Sequence, residues 1–483
     1  MKKQLTVNAF LNVLKTSLSI IFPLITYPYV SRILGVENIG KVNYTSSVVS
    51  YFSLIAALGI STYAIREGGK IREDTEKLSK LGNELFTINI ISTIFSYILL
   101  LIITIFFIHD YEYKVLIIIQ SLTIFLTTIG VDWINILFED YLYITVRSIL
   151  IQFFSLILMF LVVKTTNDIY IYAAITVFSS GITCILNLFY CRRYLHLKLI
   201  FPPSFKKHYK SIFILFFSGL AISIYANSDT LILEWLKGSY YVGLYAVAVK
   251  VYTVLKSLLA SIYSVTIPKL SHFYAHKNVK EFKETYTKIL SYVTLILLPM
   301  SAGLITLSKE IILFMGGKDY LDAEITLQLL AISLIGAIFG GILTYALNIP
   351  IGKEKINFKG SVYAIFINIG LSLLLIPILA QNGGAISTIV SEFFIVFYNF
   401  ITVKESRKFI NFDLWNKNLK DALVGFFTIL FLGYIIKYLI KNVFLSLATV
   451  IIASILIYFI ELLLLRNRIL KELLVVLKNK IRR

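Results

Sequence analysis

Long apolar stretches separated by short charged ones set the pattern of this chain. About 20 apolar helical residues cross a ~30 Å hydrocarbon core. On that ruler the pattern predicts fourteen helices, over 8–31, 41–63, 85–107, 114–133, 145–163, 169–190, 211–234, 242–266, 287–307, 325–348, 359–379, 384–403, 420–439 and 443–465. The least sharply drawn boundary lies within 133–147, where Asp132, Glu139 and Asp140 interrupt a Tyr- and Ile-rich run. The longest connections on the more basic side, 64–84, 191–210 and 404–419, are too short for a soluble domain and rich in Lys and Arg. Such runs fit solvated faces or contacts to anionic lipid.

Composition agrees with a lipid-immersed chain. Hydrophobic residues make up 58% and charged residues 15%, and the mean hydropathy is +0.82, whereas soluble proteins carry about 25% charge. Apolar segments continue to the end of the sequence, and Lys2 and Lys3 precede an apolar stretch with no small-residue cleavage site, which reads as an uncleaved anchor. The net charge of +19 does not imply nucleic acid, because the basic residues sort by side. With the N-terminus cytoplasmic, 34 of the 46 lysines and arginines fall in inside segments and nine outside, leaving Lys15, Lys250 and Lys256 within helices. One missed helix would swap every later loop, so the asymmetry predicts cytoplasmic N- and C-termini and an even helix count. Cys184 and Cys191 lie in or beside one apolar segment and read as packing residues, without the ligand spacing of a metal site or a disulfide framework.

The basic runs also repeat. Those beginning at Arg66, Arg147 and Arg192 recur at Lys269, Lys353 and Lys404, at shifts of 203, 206 and 212 residues, and Gly40 maps onto Gly243. Six helices separate the copies, so both have the same orientation. The expected fold is an all-α integral membrane protein with two parallel six-helix lobes, 1–210 and 211–419, plus two C-terminal helices and a basic tail over 420–483.

The segment PLITYPYVSRILGVENIGKVNYTSSVVSYFSLIAALGISTYAIREGGKIR, Pro23 to Arg72, carries an aromatic-proline first helix, an RILG-x-x-x-x-G hairpin at Arg32–Gly40 and a G-x-x-x-x-A-x-R-E ending at Gly59–Glu67. Together with DWINILFEDYLYITVRS (Asp132–Ser148), LFMGGKDYLDA (Leu313–Ala323) and VSEFFIVFYNF (Val390–Phe400), it resembles the Wzx-type oligosaccharide flippases. These belong to the multidrug/oligosaccharidyl-lipid/polysaccharide exporter superfamily. The resemblance covers essentially the whole chain and rests on the ordered set of motifs. It implies a bacterial inner-membrane protein that moves undecaprenyl-diphosphate-linked oligosaccharide units to the outer leaflet by alternating access. It also implies work beside a polysaccharide polymerase and chain-length machinery.

Such a cargo needs a polar cavity and cationic partners for the diphosphate, and charges inside helices cost ~2.5–3.5 kcal/mol at the membrane centre. Lys256, ~21 Å below the outer end of its helix, is the first candidate, since it is too deep to reach back to that surface. Arg32 and Lys15 on the first helix join it as candidate cavity residues, with interface anchoring and snorkelling as their plainer roles. Asp229, Lys250 and Glu392 share a depth of ~10–12 Å. With Asn227, and with Ser228 beside it, they form an expected ion-coupling cluster, for which a static salt bridge is the alternative. Lys250 and Lys256 are ~120° apart around their helix, which splits their roles. Pro23 and Pro28 mark a candidate gating kink.

Energy and catalytic motifs narrow the choice further. GGKD at Gly316–Asp319 lacks the spacing and the hydroxyl of a phosphate-binding loop, which leaves a proton or sodium gradient, or downstream consumption of the cargo, to drive transport. No cofactor and no metal are expected. Asp110-Tyr111-Glu112 is a D-x-E in a loop too short to build a transferase centre, so a membrane glycosyltransferase or polymerase is the weaker alternative, and the expectation is a transporter without enzymatic activity. Within the same fold, a peptidoglycan-precursor flippase and a drug exporter remain as alternatives.

Overall fold

The structure, a computed structural model, describes residues 2–202, 204–472 and 474. The basic tail positions Lys478, Lys480, Arg482 and Arg483 lie outside the described residues, as do the side chains of Lys2 and Lys3. Among the described residues the chain is helical with no strand. This is the expected outcome for a backbone that must satisfy its own polar groups in hydrocarbon.

The chain divides into two compact units, Met1–Gly243 and Leu244–Arg483. The first contains α1 (Lys2–Ala57), α2 (Ile60–Lys70), α3 (Thr75–Phe106), α4 (Tyr111–Gly130), α5 (Trp133–Leu137), α6 (Tyr141–Val162), α7 (Ile169–Cys191) and α8 (Phe205–Lys237). The division falls early in α9 (Ser239–Ser264). The second unit continues with α10 (Ile267–Ala275), α11 (Val279–Thr306), α12 (Ser308–Met315), α13 (Glu324–Gly341), α14 (Glu354–Leu379), α15 (Gln381–Thr402), α16 (Glu405–Lys408), α17 (Phe412–Leu439) and α18 (Val443–Leu464). A π-helical stretch, Ile342–Asn348, prolongs α13. Helix α8, the seventh of the fourteen expected spans, groups with the first unit.

Among the described residues, thirteen helical stretches are long and apolar enough to cross a membrane, and one of them runs over Ile21–Lys70, 50 residues. At 1.5 Å per residue that stretch is ~75 Å long, more than twice the hydrocarbon core. It is two spans joined at Gly35, whose φ of 77° and ψ of 172° leave the helical region, a conformation glycine adopts without steric cost. Splitting it there gives the fourteen spans expected from the sequence.

Several helices begin earlier than the apolar ruler places them. Helices α3, α8, α11 and α17 start at Thr75, Phe205, Val279 and Phe412, six to ten residues before the spans read from hydropathy. The ruler measures only the lipid-immersed length, and the helix continues past it until a cap stops it. Asp74, Asn278 and Asn411 supply caps, accepting from the backbone N–H of Lys77, Glu281 and Leu414.

Packing separates a protein-facing interior from a lipid-facing exterior. Helix α11 is the most buried of the spans, whereas α8 and α18 are among the least. Ile94, Phe95, Ile98 and Leu101 of α3 and Ile452, Ile455 and Leu456 of α18 are exposed, as side chains bathed by acyl chains should be. Two repeat-related glycines meet in the first unit. A Cβ on Gly40 would overlap the carbonyl oxygen of Ser239, and one on Gly243 would overlap that of Val36. Gly243 is Gly40 shifted by 203 residues and Ser239 is Val36 shifted by the same amount, so the two hairpins present the same backbone edge to each other.

Candidate substrate-binding and coupling site

Helices α9 and α15 of the second unit bring Lys256 and Glu392 together. The ammonium Nζ lies 2.7 Å from Glu392 Oε1, with the Lys256 side chain 36% exposed and that of Glu392 6%. Tyr252 precedes Lys256 by four residues and therefore shares its helix face. Its hydroxyl donates to the same Oε1 at 3.4 Å, and the ammonium lies 5.4 Å from its ring centroid. Gly336 of α13 lets that helix approach closely, since a Cβ there would sit 3.1 Å from the Glu392 Cβ. The carboxylate is thus fixed from two sides while its lysine keeps an open flank.

This pairing corrects the grouping expected from depth along the helices. Glu392 takes Lys256, not Lys250, as its cation, and among the described residues no acid lies within ion-pair distance of Lys250, which is half-buried. Depth counted along the axis ignored side-chain direction. Helical side chains lean toward the helix N-terminus, so the long Lys256 stem carries its charge back about one turn, to the level of Tyr252. Asp229 is buried on α8 in the first unit. Asn227 spends its amide within that helix, Nδ2 donating to the Ser223 carbonyl at 3.1 Å.

On α1, Arg32 is exposed and its Nη1 donates to the Pro28 carbonyl at 3.4 Å. Lys15 is half-buried. Pro23 and Pro28 lie inside α1, and the one residue with non-helical φ/ψ there is Gly35. The helix passes both prolines unbroken, helped by the Thr26 hydroxyl, which donates to the Phe22 carbonyl at 3.1 Å.

Sequence reasoning placed Arg147 among the cytoplasmic loop residues and missed a buried polar network in the first unit. The Arg147 side chain is 3% exposed, and its Nη2 lies 2.9 Å from Asp132 Oδ1. Its Nη1 donates to Asn187 Oδ1 at 2.5 Å, and the guanidinium lies 5.0 Å from the Tyr143 ring centroid. Asn135 donates to the same Asn187 oxygen, and Asn187 donates in turn to the Gly130 carbonyl. That carbonyl is free because α4 ends there, with Val131 at a φ of 41°. The sequence held one hint: Arg147 falls within the predicted span 145–163, with Asn135 and Asn187 in or beside neighbouring apolar segments. Asp132, with a half-exposed side chain, also lines a cavity of about 210 Å³ together with Ser61, Asn89, Thr127 and Thr128.

These features define an all-helical, multi-pass membrane protein in which the buried Arg147 and Glu392 are each met by polar partners. The solved structures it resembles are transporters. The fold matches that of "Lipid II flippase MurJ, inward closed conformation" with a TM-score of 0.76 at 19% identity, covering 94% of this chain and 98% of that one. An inward-facing multidrug resistance MATE family transporter matches with a TM-score of 0.64 at 16% identity, covering 80% and 94%. The family model described as polysaccharide biosynthesis protein matches residues 5–274, and that described as MatE matches 215–378. The chain belongs to the polysaccharide biosynthesis protein family, the Wzx-type branch of the multidrug/oligosaccharidyl-lipid/polysaccharide exporter superfamily. Among curated relatives, the capsular polysaccharide biosynthesis protein CapF of Staphylococcus aureus is 27% identical over 245 residues, 50% of this chain and 61% of that protein. A provisionally named O-antigen transporter of Shigella dysenteriae is 23% identical over 388 residues, 80% of this chain and 96% of that protein.

Proposed function

We propose that the protein is a flippase for polyprenyl-diphosphate-linked oligosaccharides. It carries them from the cytoplasmic to the outer leaflet of the inner membrane, with both termini cytoplasmic, and supplies surface-polysaccharide assembly by a polymerase and its chain-length partner. The observation that carries this reading is the Lys256–Glu392 pair: a buried carboxylate holding a lysine whose side chain is 36% exposed. A phosphate arriving at the open flank competes with Glu392 for the same cation. When the cargo leaves, Glu392 retakes Lys256, so the empty carrier resets without an uncompensated buried charge, which would cost several kcal/mol. Arg32 and Lys15 of α1 provide further phosphate contacts, and the prolines Pro23 and Pro28 soften α1 for gating. A proton or sodium ion acting at Glu392 or at Asp229, with Asn227 and Lys250 close in sequence to these helices' polar positions, biases the exchange. The working halves are the lobes 1–210 and 211–419, with 420–483 appended.

A leaflet-accessibility assay in vesicles, using purified protein and a defined polyprenyl-diphosphate oligosaccharide, tests the proposal. Lys256→Gln is expected to slow translocation at least about ten-fold, the equivalent of ~1.4 kcal/mol, with folding retained. Wild-type rates in that variant would overturn the role of Lys256. The likeness to a lipid II flippase favours one second reading, a peptidoglycan-precursor flippase. Running lipid II in a parallel arm decides between them by which cargo moves faster.

A further inference from the structure

The first unit has a cationic feature of its own that no step above uses. Where α2 ends and α3 and α8 begin, a cavity of about 390 Å³ opens to solvent. Its lining holds four lysines, Lys70, Lys77, Lys80 and Lys207, against two carboxylates, Glu67 and Glu84. Both carboxylates are engaged. Glu67 pairs with Lys70 at 2.7 Å and with Arg66 at 2.9 Å, and Glu84 accepts from the buried His208 ring at 2.8 Å. Lys77 pairs with Asp74 at 2.8 Å. Lys80 of α3 and Lys207 of α8 have no ion pair among the described residues, so two unneutralised ammonium groups from different helices face one cavity.

The same construction recurs 203 residues later. In the second unit a cavity of about 410 Å³ is lined by Lys280, Lys283, Lys288 and Arg468, with Glu284 and Glu472. Lys77 and Lys80 correspond to Lys280 and Lys283 at that shift. Glu472 takes Lys288 at 3.0 Å and Arg468 at 3.2 Å, while Lys280 and Lys283 have no ion pair among the described residues. Helix stability does not account for these lysines. Lys77 and Lys280 lie in the first turns of α3 and α11, where the helix dipole disfavours cations.

The surroundings indicate where the anion comes from. Phe201, Phe205 and Tyr209 beside the first cavity are exposed, and the start of α17, beside the second, carries Phe412, exposed, and the half-buried Trp415. Aromatics interleaved with lysines are the signature of the headgroup layer of a membrane. We infer that each unit carries a phosphate-binding pocket at its basic end that holds the headgroup phosphate of an anionic membrane lipid. The inference is independent of what the protein transports.

Native mass spectrometry of the protein in neutral detergent, titrated with phosphatidylglycerol and, separately, with inorganic pyrophosphate, tests it. One lysine near an anionic surface is worth roughly a factor of five, so the double substitution Lys80→Ser/Lys207→Ser is expected to weaken one class of phosphatidylglycerol site about thirty-fold. Lys280→Ser/Lys283→Ser should weaken the other class similarly. Lys80→Arg/Lys207→Arg should retain binding, and Lys164→Ser/Lys441→Ser, on loops of the opposite side, should leave it unchanged. An unchanged affinity in the pocket variants, an equal loss in the Lys164/Lys441 control, or binding of pyrophosphate without the lipid would each overturn the assignment. All substituted lysines are exposed or at helix starts, and thermal unfolding of each variant confirms folding.

Discussion

Arg147 in the first unit and Lys256 in the second are both cations within membrane-spanning helices, yet they are held in opposite ways. Arg147 is 3% exposed and gripped from three directions, by Asp132, Asn187 and the Tyr143 ring. Lys256 is 36% exposed, with one close carboxylate and a distant phenol. The chemistry of the two side chains suits these situations. A planar guanidinium with five donors is fixed by several acceptors at once, whereas an ammonium on a flexible stem can change partner with little rearrangement. In a membrane protein the cost of burying a charge therefore does not by itself mark a working residue. What distinguishes the two is how many bonds the charge would have to abandon in order to act.

That contrast predicts the largest effect at Arg147. Arg147→Ala removes a buried guanidinium, leaves Asp132 without its cation and takes one of two donors from the Asn187 oxygen, a loss of about 3 kcal/mol. Thermal or denaturant unfolding of the purified protein checks it, and a loss below ~1 kcal/mol would mean the network is not structural. Glu392→Gln should destabilise less, about 2 kcal/mol, because the amide oxygen of glutamine still accepts from the part-buried Lys256 ammonium. Its main consequence should appear in transport, where Glu392→Gln and Lys256→Gln each slow translocation and the double variant is no slower than the worse single one. Full additivity of the two would show that the residues act separately. Smaller again is Asp132→Asn. Its side chain is half exposed and Arg147 keeps Asn187, so the expected loss is about 1 kcal/mol.

The sequence made the fourteen spans legible because hydrocarbon thickness imposes a length that composition reveals directly. It also exposed the 203-residue repeat, which the structure expresses in the Gly40–Ser239 and Gly243–Val36 approaches. Helix starts were less legible. Asp74, Asn278 and Asn411 end their helices beyond the apolar stretch, where hydropathy carries no signal. The partner of Glu392 was out of reach for a different reason. Lys250 and Lys256 are both within reach of its depth, and the choice depends on helix rotation and on the lean of a long side chain. Arg147 was misplaced because an arginine near a helix end looks the same in sequence whether it faces water or Asn187. The buried amide of Asn187 that meets the Arg147 charge comes from a helix some forty residues away, and only packing brings the two together.

The smallest expected effect is a pH dependence at the edge of the Arg147 network. Asp140 caps α6, the helix that carries Arg147, accepting from the Tyr143 N–H at 3.4 Å. Its Oδ2 also accepts from the hydroxyls of Tyr190 at 2.6 Å and Tyr194 at 2.8 Å. Burial disfavours the ionised carboxyl, but the two phenols, the capped N–H and nearby Arg193 outweigh it and hold Asp140 below the ordinary aspartate value of 3.8. A depressed folded-state value means that the stabilisation is complete above 3.8 and drains away as the pH falls through the folded-state value. Hydrogen exchange along α6, compared between neutral pH and the range below 3.8, should therefore rise more steeply in the wild type than in Asp140→Asn, which has no proton to gain. Other carboxylates titrate in both proteins, so the difference between the two slopes isolates this one. Equal slopes would detach the cap from the Arg147 network and leave the guanidinium held by Asp132 and Asn187 alone.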